Sequence, residues 1–477
     1  MTESYDIVVI GAGPGGYVAA LKAAQMGARV AVIERHLLGG TCLNYGCIPS
    51  KALLASAELL HQIRGCAELG VTVGGQAGFD WARIQKRKDK VLAKLRGGVK
   101  GLFTARDVTL LEGQARFEGP GRIAVTKKDQ TVAEVTGSKI IIASGSVPAR
   151  IPGWPTDPER VCTSDEALHW KALPGRLLIV GGGVIGCEFA CMMHEYGVQV
   201  TVVEMLPGLL PEMEPALGEA LAQVFAQRGI RMQTGAKVED LAVKGGGITA
   251  RISGGQVVEV DKVLVATGRR PNTADLGLDR IGLSADHGFI RVNDRMQTPV
   301  SGVYCIGDAN GRCLLAHAAS AQGVAAVEDA LGHGRDLVLP VPSAVYTFPE
   351  IGSVGLTTRQ AGQQQIPISI GQFPVGFLGK AMAAGQDTGF VRVIRHRTDG
   401  TLLGVHMICS HATEIIESAT AMIGAKATAG DLGQMIFAHP TLGEAVKEAA
   451  EDSLQQALHL PPRKVMRIVA EAVEGAL

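Results

Sequence analysis

The 477-residue chain has no net charge, with 46 Lys and Arg set against 46 Asp and Glu. No basic stripe stands out along it, so nothing argues for a nucleic-acid partner. No apolar run reaches the roughly 18 residues that a membrane span requires. The first residues, Met1-Thr2-Glu3-Ser4, lack the charged and apolar regions of a signal peptide, so the expected location is cytoplasmic. Low-complexity segments are missing too. Cys66, Cys162, Cys187, Cys191, Cys305, Cys313 and Cys409 show no CxxC or Cys/His ligand spacing. They read as small buried hydrophobes, and no metal is expected. The total of nine cysteines is odd, which in a reducing compartment fits one functional pair among free thiols.

What the chain has in quantity is glycine, 62 residues, with 46% hydrophobic content. Together they suit a turn-rich α/β enzyme with a large core, and the length suggests about three domains. The apolar strand Asp6-Ile7-Val8-Val9-Ile10 runs into Gly11-Ala12-Gly13-Pro14-Gly15-Gly16, then an Ala-rich helix to about Gly27, then a strand from Ala28 to Ile33 that ends in Glu34. This is the βαβ dinucleotide fingerprint. Gly11 makes the tight turn, Gly13 admits a pyrophosphate to the backbone, Gly16 permits close helix packing and Glu34 meets a ribose hydroxyl.

The device is repeated. Arg176 to Val180 leads into Gly181-Gly182-Gly183-Val184-Ile185-Gly186, a helix follows to about Gly197, and Val198 to Val203 ends at Glu204. The separation from Gly11 to Glu34 is 23 residues, and that from Gly181 to Glu204 is the same. Gly181, Gly183, Gly186 and Glu204 therefore repeat the four roles, and the chain is expected to hold two dinucleotides.

Directly after the first unit lies Gly39-Gly40-Thr41-Cys42-Leu43-Asn44-Tyr45-Gly46-Cys47-Ile48-Pro49-Ser50-Lys51. On a regular helix, cysteines five apart have Cα atoms roughly 8 Å apart, beyond the usual disulfide limit of about 7 Å. Spacing alone leaves two buried thiols open as a reading. A turn distorted at Gly39, Gly40 and Gly46 would close the pair, and its place beside a nucleotide site points to a redox disulfide. The first site then suits FAD, because flavin exchanges electrons with sulfur whereas nicotinamide passes only hydride. The second, with Glu204 and no nearby arginine for a 2′-phosphate, suits NAD rather than NADP.

Further segments extend the pattern: Ile140 to Ser146, Ala266-Thr267-Gly268-Arg269-Arg270-Pro271-Asn272, Val303-Tyr304-Cys305-Ile306-Gly307-Asp308, and Ala438-His439-Pro440-Thr441-Leu442-Gly443-Glu444. In this order they resemble the flavin-dependent pyridine nucleotide–disulfide oxidoreductases, and within them the dihydrolipoamide dehydrogenase family, from Tyr5 to about Leu460. The resemblance implies an α/β fold with two Rossmann-like domains and a C-terminal α+β dimerisation domain. It carries cofactor contacts onto Gly40, Thr41, Ser144, Gly145, Asp308, Ala316 and Gly268. It implies that the Cys42–Cys47 disulfide takes electrons from a dihydrolipoyl group and that FAD and NAD carry them on. Lys51 and Glu188 match positions beside the flavin, and His439, oriented by Glu444, matches the base that takes a thiol proton for the disulfide of the opposite subunit. The implied partners are a lipoylated carrier and a second copy of the chain.

The expected layout is residues 1–150 and 273–345 for FAD, with a charged helical stretch over about 81–104, then 151–272 for NAD and 346–460 for the dimer interface. A tail, 461–477, is expected to be helical from the spacing of Val465, Ile468, Val469, Ala472 and Val473. Ala318 stands where the family often has lysine, and Phe348 where a smaller or polar residue is common. Related functions fit less well. Glutathione-reductase-like enzymes bind NADP through arginines missing here, mercuric reductases need a C-terminal cysteine pair, and a non-catalytic scaffold would be expected to have lost the cysteine pair or the base. A dehydrogenase dedicated to a stand-alone lipoyl carrier remains a variant of the main reading.

Overall fold

The computed structural model describes residues 3–75, 77–155, 157–462, 466–469 and 472–474. Its first part runs β1 (Glu3–Ile10), α1 (Pro14–Gln25), β2 (Val30–Glu34), α2 (Gly40–Tyr45), α3 (Cys47–Gly65), α4 (Trp81–Ala105), β3 (Thr109–Glu112), β4 (Gln114–Gly119), β5 (Arg122–Thr126) and β6 (Val132–Ile142). The strands form a sheet in the order β3-β2-β1-β6-β5-β4, and Val303–Cys305 returns from far along the chain to pair with β6. Val8, Val9, Ile140, Ile141 and Ile142 are buried, the continuous apolar run of parallel strands covered on both faces. Because β1 has β2 on one side and β6 on the other, the loop after β1 opens at a topological switch point, where open α/β sheets bind ligands.

The second parallel sheet repeats this geometry. Arg176–Val180 lies between Gln199–Glu204 and Lys262–Val265, with Arg231–Thr234 and Val161–Thr163 at its edges. The last part is antiparallel: Glu350–Gly355, Leu402–Cys409, Phe390–His396 and Ile368–Pro374 pair in that order, and the helices Ala412–Gly424 and Glu444–Ser453 pack on them. The fold is thus the expected α/β pair of Rossmann-like units with a C-terminal α+β unit.

The charged stretch forms α4, capped by the Asp80 side chain, which accepts the Arg83 N–H at 3.0 Å. The tail departs from its expected helix. Met466–Val469 and Ala472–Glu474 form a strand pair, and the first strand extends the last sheet beyond Ile368–Pro374. Ile468, Val469 and Val473 are β-branched, and the exposed edge of a sheet offers their backbone a ready ladder. Residues 463–465, 470–471 and 475–477, Val465 of that expected helix among them, lie outside the described residues. No helix among the described residues is long and apolar enough to cross a membrane.

Candidate functional site

Two glycine cradles face one cavity of about 1700 Å³. Gly11 has φ +102° and Gly181 φ +114°, left-handed values that glycine tolerates best. A Cβ on Gly16 would collide with the Gly11 carbonyl oxygen, and one on Gly186 with that of Gly181, so both helices pack tightly on their turns. These two glycines lie behind the cradles. Gly13 and Gly183 line the cavity, and around Gly183 a Cβ would meet nothing within 4 Å, which leaves bare backbone for a pyrophosphate.

The two acids behave alike. Glu34 accepts the N–H of Ala12 at 2.8 Å and of His36 at 2.8 Å; Glu204 accepts those of Gly182 at 2.5 Å and Leu206 at 2.7 Å. Each acid is thereby aimed across its own glycine turn, a function of the carboxylate that spacing alone did not reveal. Lys237 also lines the cavity, next to Ala236, whose N–H donates to the Glu204 carbonyl. It was missed because it is distant from Glu204 in sequence.

Cys42 sits in α2 and Cys47 opens α3, with Gly46 between them at φ −147°, ψ −108°, outside the helical region. That break brings the two Cα atoms to 4.7 Å and the sulfurs into a disulfide. Gly39 and Gly40, at φ +89° and +55°, make the approach, and Gly40 packs against Gly13. Asn44, buried, holds the turn by donating to the carbonyls of Leu38 at 3.0 Å and Gly40 at 2.9 Å, and its own oxygen accepts from Arg96 at 2.9 Å. Thr41, Cys42 and Cys47 all face the cavity.

One turn along α3, Lys51 Nζ donates to both oxygens of Glu188, at 2.8 and 2.7 Å. Glu188 is buried and so needs a charge partner. Its Oε1 also accepts the Tyr346 N–H at 3.1 Å, and the Lys51 ammonium lies 4.3 Å from the centre of the Tyr346 ring. Tyr346 is a third member that motif reading did not find, since it arrives from the last part of the chain.

The remaining expected contacts gather at the same cavity: Ser144, Gly145, Gly268, Asp308 and Ala316. The Ser146 hydroxyl donates to Asp308 at 2.5 Å and accepts from Arg269 at 2.7 Å. Ser144 Oγ is buried without a partner among the described residues, an orphan donor facing the space a cofactor would fill. Ala316 begins the helix Ala316–Ala330, whose N-terminal end favours negative charge.

Of the other cysteines, Cys162, Cys191 and Cys409 are buried, and burial pushes each thiol up to about 12. Cys187 and Cys305 are buried and raised likewise. Cys66 and Cys313 depart from the buried reading: both are half-buried, and Cys313 lines the cavity. Of the departures from the family pattern, Ala318 is buried and Phe348 stacks on His61 with ring centres 5.4 Å apart.

His439 and Glu444 stand apart, outside the cavity walls. His439 Nδ1 lies 2.9 Å from Glu444 Oε1, and Glu444 also accepts the Thr441 N–H at 2.9 Å. Burial works to raise the Glu444 carboxyl, but the Thr441 N–H and the His439 ring outweigh it and hold the group below its ordinary value. The imidazole is 78% exposed, and Ile436, three residues earlier, is 99% exposed. An oriented base and, close to it in the chain, a bare apolar side chain are thus both exposed, and neither lines the cavity that holds the disulfide.

A family model described as pyridine nucleotide-disulphide oxidoreductase matches residues 5–323, and one described as the dimerisation domain of that group matches residues 341–450. The chain is similar to the dihydrolipoyl dehydrogenase of Chlamydia muridarum, 40% identical over 468 residues that cover 97% of this chain and 100% of the relative. It is similar to that of Bacillus subtilis, 40% identical over 475 residues covering 96% and 100%. Among solved structures it resembles LpdA from Mycobacterium tuberculosis, with a TM-score of 0.87 and 29% identity, covering 94% of this chain and 99% of that one. It also resembles the HOCl-induced flavoprotein disulfide reductase RclA from Escherichia coli, with a TM-score of 0.83 and 27% identity over 94% and 99%. The dimerisation-domain match supports a homodimer.

Proposed function

From the premise that this chain belongs to the pyridine nucleotide-disulphide oxidoreductase family and uses FAD and NAD, we propose that it oxidises the dihydrolipoyl group of a carrier protein and delivers the electrons to NAD⁺. The observation that carries this reading is the cavity itself: the Cys42–Cys47 disulfide and the Lys51–Glu188 pair open onto one space bounded by both glycine cradles. We assign the first cradle, within residues 1–150 and 273–345, to FAD. The second, within 151–272, is assigned to NAD, and residues 346–460 to the contact between subunits, in a cytoplasmic homodimer.

Because His439 Nδ1 faces Glu444, the ring donates from Nδ1 and leaves Nε2 to accept a proton. In the proposed reaction the partner subunit supplies this base. Nε2 takes the proton of one lipoyl thiol, and the resulting thiolate attacks Cys42 Sγ. The Cys42–Cys47 bond breaks, with Cys47 leaving as thiolate. The second lipoyl thiol then attacks the mixed disulfide and its proton passes to the departing Cys42 sulfur. The lipoyl ring closes oxidised and the cysteine pair is left reduced by two electrons, with Cys42 as thiol, Cys47 as thiolate and the first proton on Nε2. FAD in the first cradle supplies the two-electron exchange between this pair and the nicotinamide. Lys51, held by Glu188 and Tyr346, places a fixed positive charge at the cavity wall, where it tunes that exchange. Asp308, Ser144 and the N-terminal end of the helix at Ala316 hold the cofactor's polar part.

The test compares NAD⁺ reduction by dihydrolipoamide with NADPH oxidation by glutathione disulfide. Fast turnover is expected in the first assay and background in the second; the reverse result would sink the proposal.

Cofactor choice has its own test. Glu204→Gln combined with Met205→Arg, the latter at a position 68% exposed, replaces the charged acceptor for a ribose hydroxyl by a neutral amide and supplies a cation for a 2′-phosphate. A hydrogen bond to a charged group contributes about 1.5–3 kcal/mol, so the NAD⁺ to NADP⁺ preference in kcat/KM should fall by at least about tenfold. A native preference for NADP⁺ would contradict the role given to Glu204.

A further inference from the structure

Helix α4 carries eight Lys or Arg residues and a single acid, Asp89, in a chain with no net charge. Its buried residues, Trp81, Lys88, Leu92, Val99 and Phe103, fall on one side. At about 100° per residue, Arg83, Lys86, Arg87, Lys90 and Lys94 fall within about 100° of arc on the opposite side, and all five are exposed. The whole-chain charge balance conceals this stripe, which exists only once residues 81–105 become one helix.

Neighbours along the stripe are three or four residues apart, the spacing at which like charges destabilise a helix. No acid among the described residues forms an ion pair with the five cations of the stripe. Among the described residues, the ion pair made by an α4 side chain is that of Lys88 with Asp89, and the nearby Asp80 takes the backbone N–H of Arg83. A face turned only to water is better served by mixed signs.

The stripe also has a place. Arg87 donates to the carbonyl of Ala52 on α3 at 3.1 Å, and Arg96 donates to Asn44 on α2 at 2.9 Å. Those two helices carry Cys47 and Cys42. Arg87 of the stripe and Arg96 beside it thus tie α4 to the two helices that carry the disulfide. A carrier that offers thiols on a flexible arm has to rest within that arm's reach of the disulfide. The aromatic residues of α4, Trp81 and Phe103, are buried, so the stripe offers no platform on which bases could stack. A protein surface fits better than a single-stranded nucleic acid.

We infer that the outer stripe of α4, from Arg83 to Lys94, docks an acidic carrier domain and so brings its dihydrolipoyl arm to the disulfide. This rests on the function proposed above for the source of the arm. Electrostatic complementarity of this kind acts mainly on encounter rates, by about 10- to 10³-fold, and is screened by salt.

The experiment uses the holoenzyme and three dithiol probes: free dihydrolipoamide, a peptide with dihydrolipoyl-lysine flanked by glutamates, and its lysine-flanked counterpart. At low salt the native enzyme should show about tenfold higher kcat/KM for the acidic peptide than for the basic one, converging as salt rises. Lys86→Glu/Lys90→Glu/Lys94→Glu should reverse that order and leave free dihydrolipoamide unchanged, with the corresponding triple Gln variant between the two. Equal kcat/KM of native and Glu-variant enzymes on the acidic peptide overturns the inference. Fluorescence anisotropy of a dye-labelled acidic peptide reads docking without turnover. If dihydrolipoamide is not oxidised at all, the function reading fails and this binding arm alone decides the docking. Binding of an RNA oligomer in place of the acidic peptide, or loss of the dimer in the Glu variant during sedimentation, would also overturn it, since the stripe would then serve another partner.

Discussion

A Cys47→Ser holoenzyme is expected to remain folded and yellow yet to lose dihydrolipoamide oxidation by on the order of 10³-fold or more, as when other covalent catalytic groups are removed. The Gly46 break and the Asn44 bonds that shape the turn do not involve the Cys47 sulfur, so serine should leave the turn in place while abolishing the bond that accepts electrons. Transfer from NADH to an artificial dye bypasses the disulfide and should persist. Absorbance at flavin wavelengths, NADH–dye turnover and dihydrolipoamide turnover separate these effects. Near-native dihydrolipoamide turnover would remove the disulfide from the mechanism.

Mixing two inactive proteins, Cys42→Ser and His439→Ala, is expected to restore activity once their subunits exchange. In a mixed dimer, one site combines a native Cys42 with the partner's native base, while the other site carries both lesions. Random pairing makes half of the dimers mixed, so recovery should approach about a quarter of native activity in this symmetric arrangement. Removing the base alone should cost about 10²- to 10⁴-fold, which leaves ample room to see the recovery. The exposed His439, outside the cavity that holds Cys42, motivates the experiment. Absence of recovery after exchange verified by mass spectrometry would place base and disulfide in one subunit.

The parts of this protein readable from sequence are those whose chemistry is local. A strand, a three-glycine turn, a helix and a closing acid lie within some two dozen residues, and each has a geometric reason that survives any wider context. The cysteine pair was legible for the same reason, down to the need for a break between the two residues. What remained hidden depends on distant segments meeting: Arg96 on Asn44, Lys237 beside Glu204, and Tyr346 over Lys51. The tail was misread because Ile468, Val469, Ala472 and Val473 suit one face of a helix in isolation, while their pairing is decided by a sheet edge formed about a hundred residues earlier. The cationic stripe of α4 was hidden in another way: each residue was visible, but the angle between them was not.

The contact of Tyr346 with the Lys51–Glu188 pair also limits how modular the molecule is. A duplicated nucleotide-binding unit resembles a cassette that evolution or an engineer could exchange freely. Here the second cassette provides the buried carboxylate that balances a cation of the first, and the backbone donor for that carboxylate comes from a third region. Excising the middle cassette would strand Lys51, whereas removing the last region would deprive Glu188 of a donor. Lys51 is 30% exposed and Glu188 6%, so loss of the acid leaves a partly solvated cation at modest cost, whereas loss of the cation would leave a buried carboxylate uncompensated, a cost of about 3–5 kcal/mol. The three regions therefore share one charge network, and a chimaera with a foreign middle cassette must bring its own acid to the position of Glu188.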